Sequence, residues 1–505
     1  MNERNLAGLA ATVLQPGFVG TAPPDWVRRW LADGLGAVVL FARNVVDPEQ
    51  VAALTAALRA ERPDVLVAID EEAGDVTRIE SGRGSSRPGN LALGAVDDPA
   101  LTEEVARDLG DELAALGVTL NYAPDADVNI NPANPVIGVR AFGADPHLVA
   151  RHTAAWVRGL QSAGVAACAK HFPGHGDTRV DSHHDLPRIE ASRGRLDSGE
   201  LVPFRAAVAA GVQAVMTGHL LVPALDPDLP ATLSRRILGD LLRDELGFSG
   251  VVVTDAVEMR AVADRYGFAG AAVRALVAGA DAICVGGERA DEATARYLRD
   301  AVVAAVLSGE LPEERLAEAA KRVGQLAEWS TAARLGRPAD APRPVDGSPV
   351  GLTAARRAVR VSGDPIGRLP LTGAAHVVEF APPHNIAIGA ETPWGLGVPL
   401  ADLLPGTTTV RLTEADLSAE PVDLAATAGD PAGGAAGRPL VLVVRDLHRH
   451  GWMRAAVDRA LASRPDAVVV ELGVPELVTG RLHLATHGAT RAATRAAAEL
   501  LAGIR

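Results

Sequence analysis

The sequence predicts an α/β protein whose larger part is a (β/α)8 barrel, and three observations support this. Eight short apolar runs recur along the first two-thirds of the 505 residues, and stretches with helical spacing lie between most of them. Strand–helix alternation implies parallel strands with right-handed crossovers, and eight such units suit a closed barrel. No glycine-rich dinucleotide fingerprint follows an early strand, which disfavours the alternative of an open, doubly wound sheet.

The predicted barrel strands are short and apolar, and the helices between them are longer and amphipathic. The strands are Leu9–Leu14, Ala37–Phe41, Val65–Ile69, Val118–Asn121, Val165–Ala169, Ala214–Thr217, Val251–Thr254 and Ala282–Val285. The helices include Pro48–Arg62, Thr102–Leu116, Pro146–Ala163, Leu201–Ala210, Arg235–Leu246 and Ala261–Ala278. The apolar run Leu6–Leu14 is interpreted as a strand and not as a secretory signal, because Glu3 precedes it and no cleavage site follows.

A change in composition after the eighth strand predicts a second domain. We expect the barrel to occupy residues 1–335, a linker rich in proline, alanine and glycine to occupy 336–350, and a smaller α/β sandwich to occupy 351–505. Strand candidates in this second region are His376–Phe380, Leu440–Val444 and Ala467–Leu472. Helix candidates are Leu352–Ala358, Met453–Ala462 and Arg491–Leu501.

Charge, aromatic content and cysteine content set limits on function. The formal net charge of -14 argues against a nucleic-acid partner, and 3% aromatic residues provide little material for stacking long sugar chains or bases. Cys168 and Cys284 lie in predicted strands and offer neither a disulfide framework nor a zinc spacing, in keeping with the cytoplasm. No stretch reaches the roughly 18 apolar residues that span a membrane. The sequence predicts a cytoplasmic protein without a membrane partner and leaves its oligomeric state open.

Polar residues follow most of the predicted barrel strands at their carboxyl ends, where barrels of this type place their sites. In strand order they are Arg43 and Asn44, Asp70 to Glu72, Asp125, Asp127 and Arg140, Lys170 and His171, His219, and Asp255. A random surface would scatter such residues. We therefore expect a functional site at this end of the barrel.

The most distinctive stretch is Lys170–Thr178, with the sequence KHFPGHGDT, followed by Asp181-Ser182-His183. Two glycines and a proline break regular structure here, so the titratable side chains are expected on a loop. A charged surface loop is the plain alternative. A metal site is disfavoured because the histidine spacings do not match a helical His-x-x-x-His pattern. We expect neither a metal nor a cofactor.

This stretch resembles the signature of the family-three glycoside hydrolases, and specifically of the NagZ-type β-N-acetylglucosaminidase branch. In that branch the KHFPGHGDT run is followed by an Asp-Ser-His triplet. Val251–Met259 resembles the segment that carries the family's nucleophilic aspartate. The resemblance covers residues 1 to about 340 and fits a two-domain layout. It departs at Glu72-Ala73-Gly74, where the family usually has Glu-Gly-Gly, and the added methyl group could alter the backbone angles of the loop.

Cleavage of a glycosidic bond with retention needs a nucleophile and an acid/base. The resemblance implies that Asp255 is the nucleophile, whereas the residues alone equally allow Asp255 to be the N-cap of the following helix. The resemblance also implies that His183 is the acid/base and that Asp181 pairs with it. Histidine suits this role because its pKa is normally about 6.5. The alternative is that the pair only braces the loop.

The resemblance implies further contacts with the substrate. Four residues are expected to hydrogen-bond hydroxyl groups of the non-reducing sugar: Asp70, Arg140, Lys170 and His171. Charged groups make the stronger hydrogen bonds, which helps to orient the sugar. Arg43 and Arg78 stay open between sugar contact and structural ion pair, and His219 is interpreted as part of the site wall.

The function that the resemblance implies is a retaining exo-β-N-acetylglucosaminidase acting on small carbohydrates with a terminal N-acetylglucosamine. One alternative is a phosphorylase, because a neutral histidine would repel inorganic phosphate less than a carboxylate would. A β-glucosidase of the same family and a non-catalytic sugar-binding barrel are the others. The natural substrate stays open between muropeptides from peptidoglycan recycling, chitin-derived sugars and another glycoconjugate.

Overall fold

The computed structural model describes residues 3–178, 186–336, 347–383, 385, 387–389, 391–419 and 438–504. The chain divides into two compact units. The first unit combines Met1–Glu72, Asp98–Ile137 and Ala141–Val345, and the second combines Ala73–Asp97, Gly138–Arg140 and Asp346–Arg505. Two short segments from the first third of the sequence therefore belong to the second unit.

Eight parallel strands form the centre of the first unit. They are β1 Leu14–Pro16, β2 Ala37–Leu40, β3 Leu66–Ile69, β4 Leu120–Asn121, β5 Ala166–Phe172, β6 Ala214–Thr217, β7 Val251–Thr254 and β8 Ile283–Val285. Strands β2 to β7 pair in sequence order, and β1 pairs with β8. Single parallel bridges, Gly17 with Val39 and Val253 with Ala282, join the two sheets. The strands therefore close into a ring, and the predicted (β/α)8 barrel is confirmed.

Helices occupy the connections between the strands of both units. In chain order they are α1 Glu3–Thr12, α2 Asp25–Ala32, α3 Pro48–Glu61, α4 Asn90–Val96, α5 Pro99–Ala115, α6 Pro146–Ser162, α7 Arg193–Ser198, α8 Leu201–Ala209, a π-helix Arg236–Glu245, α9 Arg260–Tyr266, α10 Phe268–Ala278, α11 Glu292–Ser308, α12 Glu313–Leu335, α13 Pro349–Ala358, α14 Gly397–Leu403, α15 Glu414–Ala419, α16 Gly451–Ser463 and α17 Arg491–Ala502. Short 3-10 turns lie at Ala42–Asn44, Gly138–Arg140, Ala231–Leu233 and Leu447–Arg449. Among the described helices, none combines the length and apolar character needed to cross a bilayer.

The predicted strand Leu9–Leu14 is wrong, because α1 runs to Thr12 and β1 begins only at Leu14. Leu6 and Ala10 are buried one helical turn apart, so the apolar run is one face of a helix. Alanine, which supplies several residues of this run, has the highest helix propensity of all residues. A short apolar run does not distinguish these two structures by composition alone.

Alternate residues of the barrel strands pack into one buried cluster, as the two-residue period of a strand requires. Ala37 and Val39 of β2 and Ala166 and Cys168 of β5 belong to it, and α12 contributes Val323. Packing fills the barrel interior with side chains. The carboxyl ends of the strands are thereby held in fixed positions.

The second unit is built on a six-stranded sheet with the order β11-β10-β12-β13-β14-β9. Its strands are β9 Arg360–Gly363, β10 His376–Phe380, β11 Thr408–Leu412, β12 Leu440–Val444, β13 Val468–Glu471 and β14 Leu482–Ala485. Neighbouring strands run parallel, except that β9 is antiparallel to β14. One face packs against Leu501 of α17 and Leu400 of α14, and the other packs against Met453 of α16. The predicted α/β sandwich is confirmed.

Residues 73–97 are held in the second unit by buried polar contacts. The Arg445 guanidinium pairs with the Asp75 carboxylate at 2.5 Å, and the Ala489 backbone N–H donates to the same carboxylate at 2.8 Å. Arg491 pairs with Glu80 at 2.8 Å. The predicted domain boundaries at residues 335 and 350 stay a prediction, and most of the linker, residues 337–346, lies outside the described residues.

Candidate active site

The candidate site is assembled from loops at the carboxyl ends of the barrel strands. Asp70 follows β3 directly, Lys170 and His171 are near the end of β5, and Asp255 follows β7 directly. Strand β5 extends to Phe172, three residues beyond its predicted end at Ala169. Lys170 is bridged to Asp125, and both Lys170 and His171 lie where the register of β5 against β6 shifts, between Ala169 and Phe172.

Lys170 joins the loops after β3, β4 and β5. Its ammonium group is buried and contacts both the Asp70 carboxylate and Glu72 Oε1, the latter at 2.6 Å. The Ala126 backbone N–H donates to the Lys170 carbonyl at 2.7 Å. Lys170 is one of two lysines among 49 basic residues. A compact ammonium can serve two carboxylates at once, whereas arginine has a planar fork.

His171 is oriented by Asp127, for which the sequence analysis predicts no role beyond its position after the fourth strand. His171 Nδ1 and Asp127 Oδ2 are 2.7 Å apart, and the His175 backbone N–H donates to Asp127 Oδ1 at 2.6 Å. Burial alone would raise the pKa of Asp127, but the neighbouring His171 and His175 lower that pKa below its ordinary value. An ionised carboxylate here fixes the tautomer and the ring plane of His171. The spacing Asp125-x-Asp127 directly after an apolar strand is the sequence signal that could have identified Asp127 as a partner of the site.

The loop after β5 is held tightly as far as Thr178. The Asn134 side chain donates to the carbonyl groups of His175 and Gly176 at 2.9 and 3.2 Å, and His175 Nδ1 lies 2.9 Å from Thr178 Oγ1. A Cβ atom on Gly176 would lie 1.7 Å from the Val128 carbonyl oxygen. Only glycine fits there, so the glycine serves close packing. The predicted acid/base pair, Asp181 and His183, lies outside the described residues.

Asp255 is partly exposed and begins the connection between β7 and α9. Its backbone N–H donates to the Thr217 carbonyl at 3.1 Å, and its Oδ1 accepts the Ala256 backbone N–H at 2.8 Å. The N-cap of α9 is Met259, without a side-chain cap. The alternative interpretation of Asp255 as a helix cap is therefore wrong, and the carboxylate stays a candidate for chemistry.

His219 supports the backbone next to Asp255. Its Nδ1 lies 2.9 Å from Thr232 Oγ1, and its Nε2 lies 3.0 Å from the Ala256 carbonyl oxygen. Both ring nitrogens are thus engaged in hydrogen bonds within a buried environment. This arrangement agrees with the interpretation of His219 as part of the wall.

The side chains of Arg78 and Arg43 have partners in the fold, and so does the backbone of Arg140. Arg140 is buried in the second unit, where its carbonyl accepts from the Asn90 side chain at 2.7 Å. Arg78, in the same unit, donates to the Ala387 carbonyl at 3.2 Å. In the first unit, Arg43 donates to the carbonyl groups of Phe18, Gly286 and Gly287. These bonds to carbonyl groups support a structural role for Arg43, one of the two roles that the sequence left open.

Asp125, Asp127 and His171 are close enough to hold a metal ion, since one ligand atom of each lies within 4.8 Å of the others. Hydrogen bonds already account for this proximity. Asp127 accepts from His171 and His175, and the Asp127 backbone N–H donates to Asp125 Oδ1 at 3.0 Å. A metal ion would have to replace these bonds, so the donor set suits a hydrogen-bond network better than a coordination site.

Comparison with known proteins places the first unit in a recognised family. Residues 11–326 match the Glycosyl hydrolase family 3 N terminal domain. A β-hexosaminidase of Alkalilimnicola ehrlichii is 41% identical over 255 residues, which cover 49% of this chain and 73% of that protein. β-Hexosaminidase A of Pseudoalteromonas piscicida is 38% identical over 282 residues, and the match spans only 47% of that longer protein.

A solved structure extends the similarity to both units. The family 3 β-N-acetylglucosaminidase of Paenibacillus sp. strain FPU-7 is 35% identical and superimposes with a TM-score of 0.84. The match covers 99% of this chain and 96% of that one. The family match includes more than half of the sequence, as well as the loops that carry Asp70, Lys170 and Asp255. The protein therefore belongs to glycosyl hydrolase family 3.

Proposed function

We propose that this protein is a retaining exo-acting β-N-acetylglucosaminidase that hydrolyses terminal β-linked N-acetylglucosamine. The observation that carries the proposal is Asp255, a partly exposed carboxylate fixed at the carboxyl end of β7 and not used as a helix cap. The names of the similar proteins, β-hexosaminidase and β-N-acetylglucosaminidase, support this choice of substrate.

In the proposed reaction, Asp255 attacks the anomeric carbon and forms a covalent glycosyl ester while the leaving oxygen is protonated. Water then cleaves the ester, and the acid/base takes up a proton. The strand and the Thr217 hydrogen bond fix the direction from which Asp255 approaches. Asp181 and His183 stay the proposed acid/base pair.

Lys170, Asp70 and His171 are proposed to orient the terminal sugar. The Asp70 side chain is 31% exposed although it contacts the buried Lys170. It can therefore accept a hydrogen bond from a sugar hydroxyl group while it keeps its ion pair with Lys170. Asp127 holds the His171 ring in one orientation. Arg140 is proposed as a further sugar contact. Charged partners of this kind make short, directional hydrogen bonds.

The proposed substrates are small carbohydrates that end in N-acetylglucosamine, with peptidoglycan fragments in the cytoplasm as the first candidates. N-acetylglucosaminyl-anhydromuramyl fragments and chitobiose, compared with aryl N-acetylglucosaminides and aryl glucosides, separate these substrates from β-glucosides. In phosphate buffer a hydrolase releases free N-acetylglucosamine, whereas release of the sugar 1-phosphate would identify a phosphorylase.

Covalent labelling tests the proposed nucleophile. A 5-fluoro N-acetylglucosaminyl fluoride should inactivate the enzyme and add one sugar to Asp255, as read by peptide mass spectrometry. Asp255→Asn should lower kcat by roughly a thousandfold or more. Asp264→Asn, at an exposed aspartate of α9, is the matched control and should keep full activity. A label on a different residue, or an active Asp255→Asn enzyme, would contradict the proposal.

The leaving group tests the acid/base pair. His183→Ala should slow substrates with poor leaving groups more than activated aryl glycosides, because only the poor leaving groups require protonation. Equal losses on both kinds of substrate would assign His183 a different role.

A further inference from the structure

Glu258 lies three residues after Asp255 and links the β7 loop to the β8 loop. Its Oε1 accepts the backbone N–H groups of Gly286 and Gly287 at 2.8 and 2.7 Å. Its Oε2 is buried and, within the described part of the chain, has no hydrogen-bond partner. The side chain is thus oriented by two donors from the neighbouring loop.

Arg43 holds the same pair of glycines through their carbonyl groups. It donates to the Gly287 carbonyl at 2.8 Å and to the Gly286 carbonyl. Gly286 has φ +119°, and a Cβ atom there would lie 2.3 Å from the Gly17 backbone nitrogen. The position of this loop is therefore fixed by close packing as well as by Arg43. Glu258 binds a rigid partner.

The β7 loop is short and is fixed on two sides. On the β6 side, Thr217 accepts the Asp255 backbone N–H, and His219 contacts the Ala256 carbonyl. On the β8 side, the Val257 backbone N–H donates to the Cys284 carbonyl at 3.2 Å, and Glu258 provides the side-chain link. Among the described residues, removal of Glu258 leaves the Val257 bond as the backbone link between this loop and β8, so the loop that carries Asp255 gains freedom.

We propose that Glu258 is a positioning residue that keeps the Asp255 carboxylate in line with the anomeric carbon by fixing the β7 loop to the rigid β8 loop. This inference rests on the proposed function, in which Asp255 is the nucleophile. Misplacement of a reacting group by about 1 Å can slow a reaction roughly a hundredfold.

The electrostatics of the loop agree with this role. Burial raises the pKa of Glu258, and the N–H groups of Gly286 and Gly287 offset only part of that effect. Glu258 and Asp255 both act on the buried Cys284 thiol, whose pKa is raised, so the two carboxyl groups lie in one neighbourhood. Burial lowers the pKa of Arg43 and the nearby Glu258 opposes that shift, so the cation that holds the two glycines lies near the same carboxyl group.

The test compares Glu258→Ala with Glu258→Gln, which keeps an oxygen acceptor for the two N–H groups. Glu288→Ala, at an exposed glutamate of the β8 loop, is the matched control. Glu258→Ala should lower kcat/KM about a hundredfold, equally for activated and unactivated aryl N-acetylglucosaminides. Glu258→Gln should stay within about fivefold of the wild type, and Glu288→Ala should be unchanged.

The rate of labelling by the fluorosugar separates positioning from general loss of structure. In Glu258→Ala the rate should fall by the same factor as kcat/KM, while the final stoichiometry stays at one label for each folded chain. A Glu258→Ala enzyme within about threefold of the wild type, or a Glu258→Gln enzyme as slow as Glu258→Ala, would overturn the inference. If the alanine variant does not fold, Glu258→Asp, which is one methylene shorter, replaces it both in the comparison with the wild type and in the comparison with Glu258→Gln.

The wild-type enzyme distinguishes failure of this inference from failure of the proposed function. No label on wild-type Asp255 refutes the proposed function. Normal labelling of the wild type together with normal labelling of Glu258→Ala refutes only the role of Glu258.

Discussion

The two units both carry acidic residues at the carboxyl ends of parallel strands, but they use these residues differently. In the second unit, Glu379 at the end of β10 accepts the backbone N–H groups of Leu396 and Gly397 at 2.8 and 2.9 Å and pairs with Arg411 at 2.6 Å. Glu471 at the end of β13 accepts three backbone N–H groups, at 2.7 to 3.1 Å. Both carboxylates are almost completely buried.

In the barrel, two of the candidate acids, Asp70 and Asp255, keep exposed surface. Asp70 contacts Lys170 yet leaves 31% of its side chain exposed, and Asp255 is also partly exposed. An acid at the end of a strand is therefore not by itself a sign of a site. Glu379 and Glu471 are buried and hold loops of the second unit through backbone amides, whereas Asp70 and Asp255 keep exposed surface on which a ligand can bind.

Among the variants that test this comparison, Lys170→Met should give the largest effect, because it removes the cation between Asp70 and Glu72. We expect kcat/KM to fall by about a hundredfold or more, together with a loss of about 3 kcal/mol in the free energy of unfolding. Lys321→Met, at the only other lysine and on an exposed position of α12, is the control. Activity assays and urea unfolding measure both quantities. A Lys170→Met enzyme with normal kcat/KM would remove the distinction between the two units.

Arg411→Met tests the opposite side of the comparison. It breaks the pair with the buried Glu379, and we expect the free energy of unfolding to fall by about 2 kcal/mol, less than for a fully buried pair because Arg411 is half exposed. The kcat/KM value of the folded enzyme should stay within about twofold of the wild type. Arg454→Met, at an exposed arginine of α16, is the control. A large loss of activity without loss of stability would show that this acid serves the site.

Glu200 refines the comparison, because among the described residues this barrel acid is neither bonded to loop amides, as in the second unit, nor exposed, as Asp70 and Asp255 are. Its two carboxyl oxygens are buried and, in the described part of the chain, have no hydrogen-bond partner. Burial raises the pKa of Glu200, and Asp177 adds to this effect. The native state therefore holds the proton more tightly than the unfolded chain does. Stability from this group is complete below the unfolded pKa and is lost as pH rises through the folded pKa.

Glu200→Gln removes that pH dependence. Its melting temperature should exceed that of the wild type at pH 8, and the difference should shrink towards pH 4. Thermal melts across this pH range measure the effect, with Glu310→Gln at an exposed position as the control. A difference that grows towards low pH would contradict a raised pKa for Glu200 in the folded protein.

The smallest effect is expected at Ala73, the first residue of the second unit. Ala73 has φ +55°, a left-handed conformation that costs a residue with a Cβ atom about 1–2 kcal/mol. Ala73→Gly removes this strain but also loses a buried methyl group and increases the freedom of the unfolded chain, so its stability should stay within about 1 kcal/mol of the wild type. Ala73→Val should be clearly less stable in urea unfolding. A valine variant as stable as the wild type would show that the backbone at position 73 is not strained.

The sequence predicted the barrel and the second sheet, because apolar runs and helical spacing are local properties of the chain. It also predicted which strand ends carry Asp70, Lys170 and Asp255. The short strands β9, β11 and β14 were missed, since their apolar content is low or their flanks resemble loops. The helix α1 was misassigned for a different reason, because the apolar run Leu6–Leu14 suits both a helix and a strand.

The contacts within the site could not be predicted in the same way. Asp127 and His171 are 44 positions apart in the sequence, and Glu258 and Gly286 are 28 apart. Only the closed barrel brings such residues within hydrogen-bond distance. Ala73 was noted from the sequence as a departure from the family pattern, but its left-handed angle is visible only in the structure. The relation of Asp181 and His183 to Asp255 stays a prediction.

The closure of the barrel between β1 and β2 has a consequence for its dynamics. One backbone bridge, Gly17 with Val39, joins these strands, and the side chains of Arg43 and Asn44 add bonds to the Phe18 carbonyl at 3.1 and 3.0 Å. A junction held by side chains can open without breaking a long ladder of amide bonds. Hydrogen exchange at the β1–β2 junction should therefore be faster than within the continuous sheet of β2 to β7.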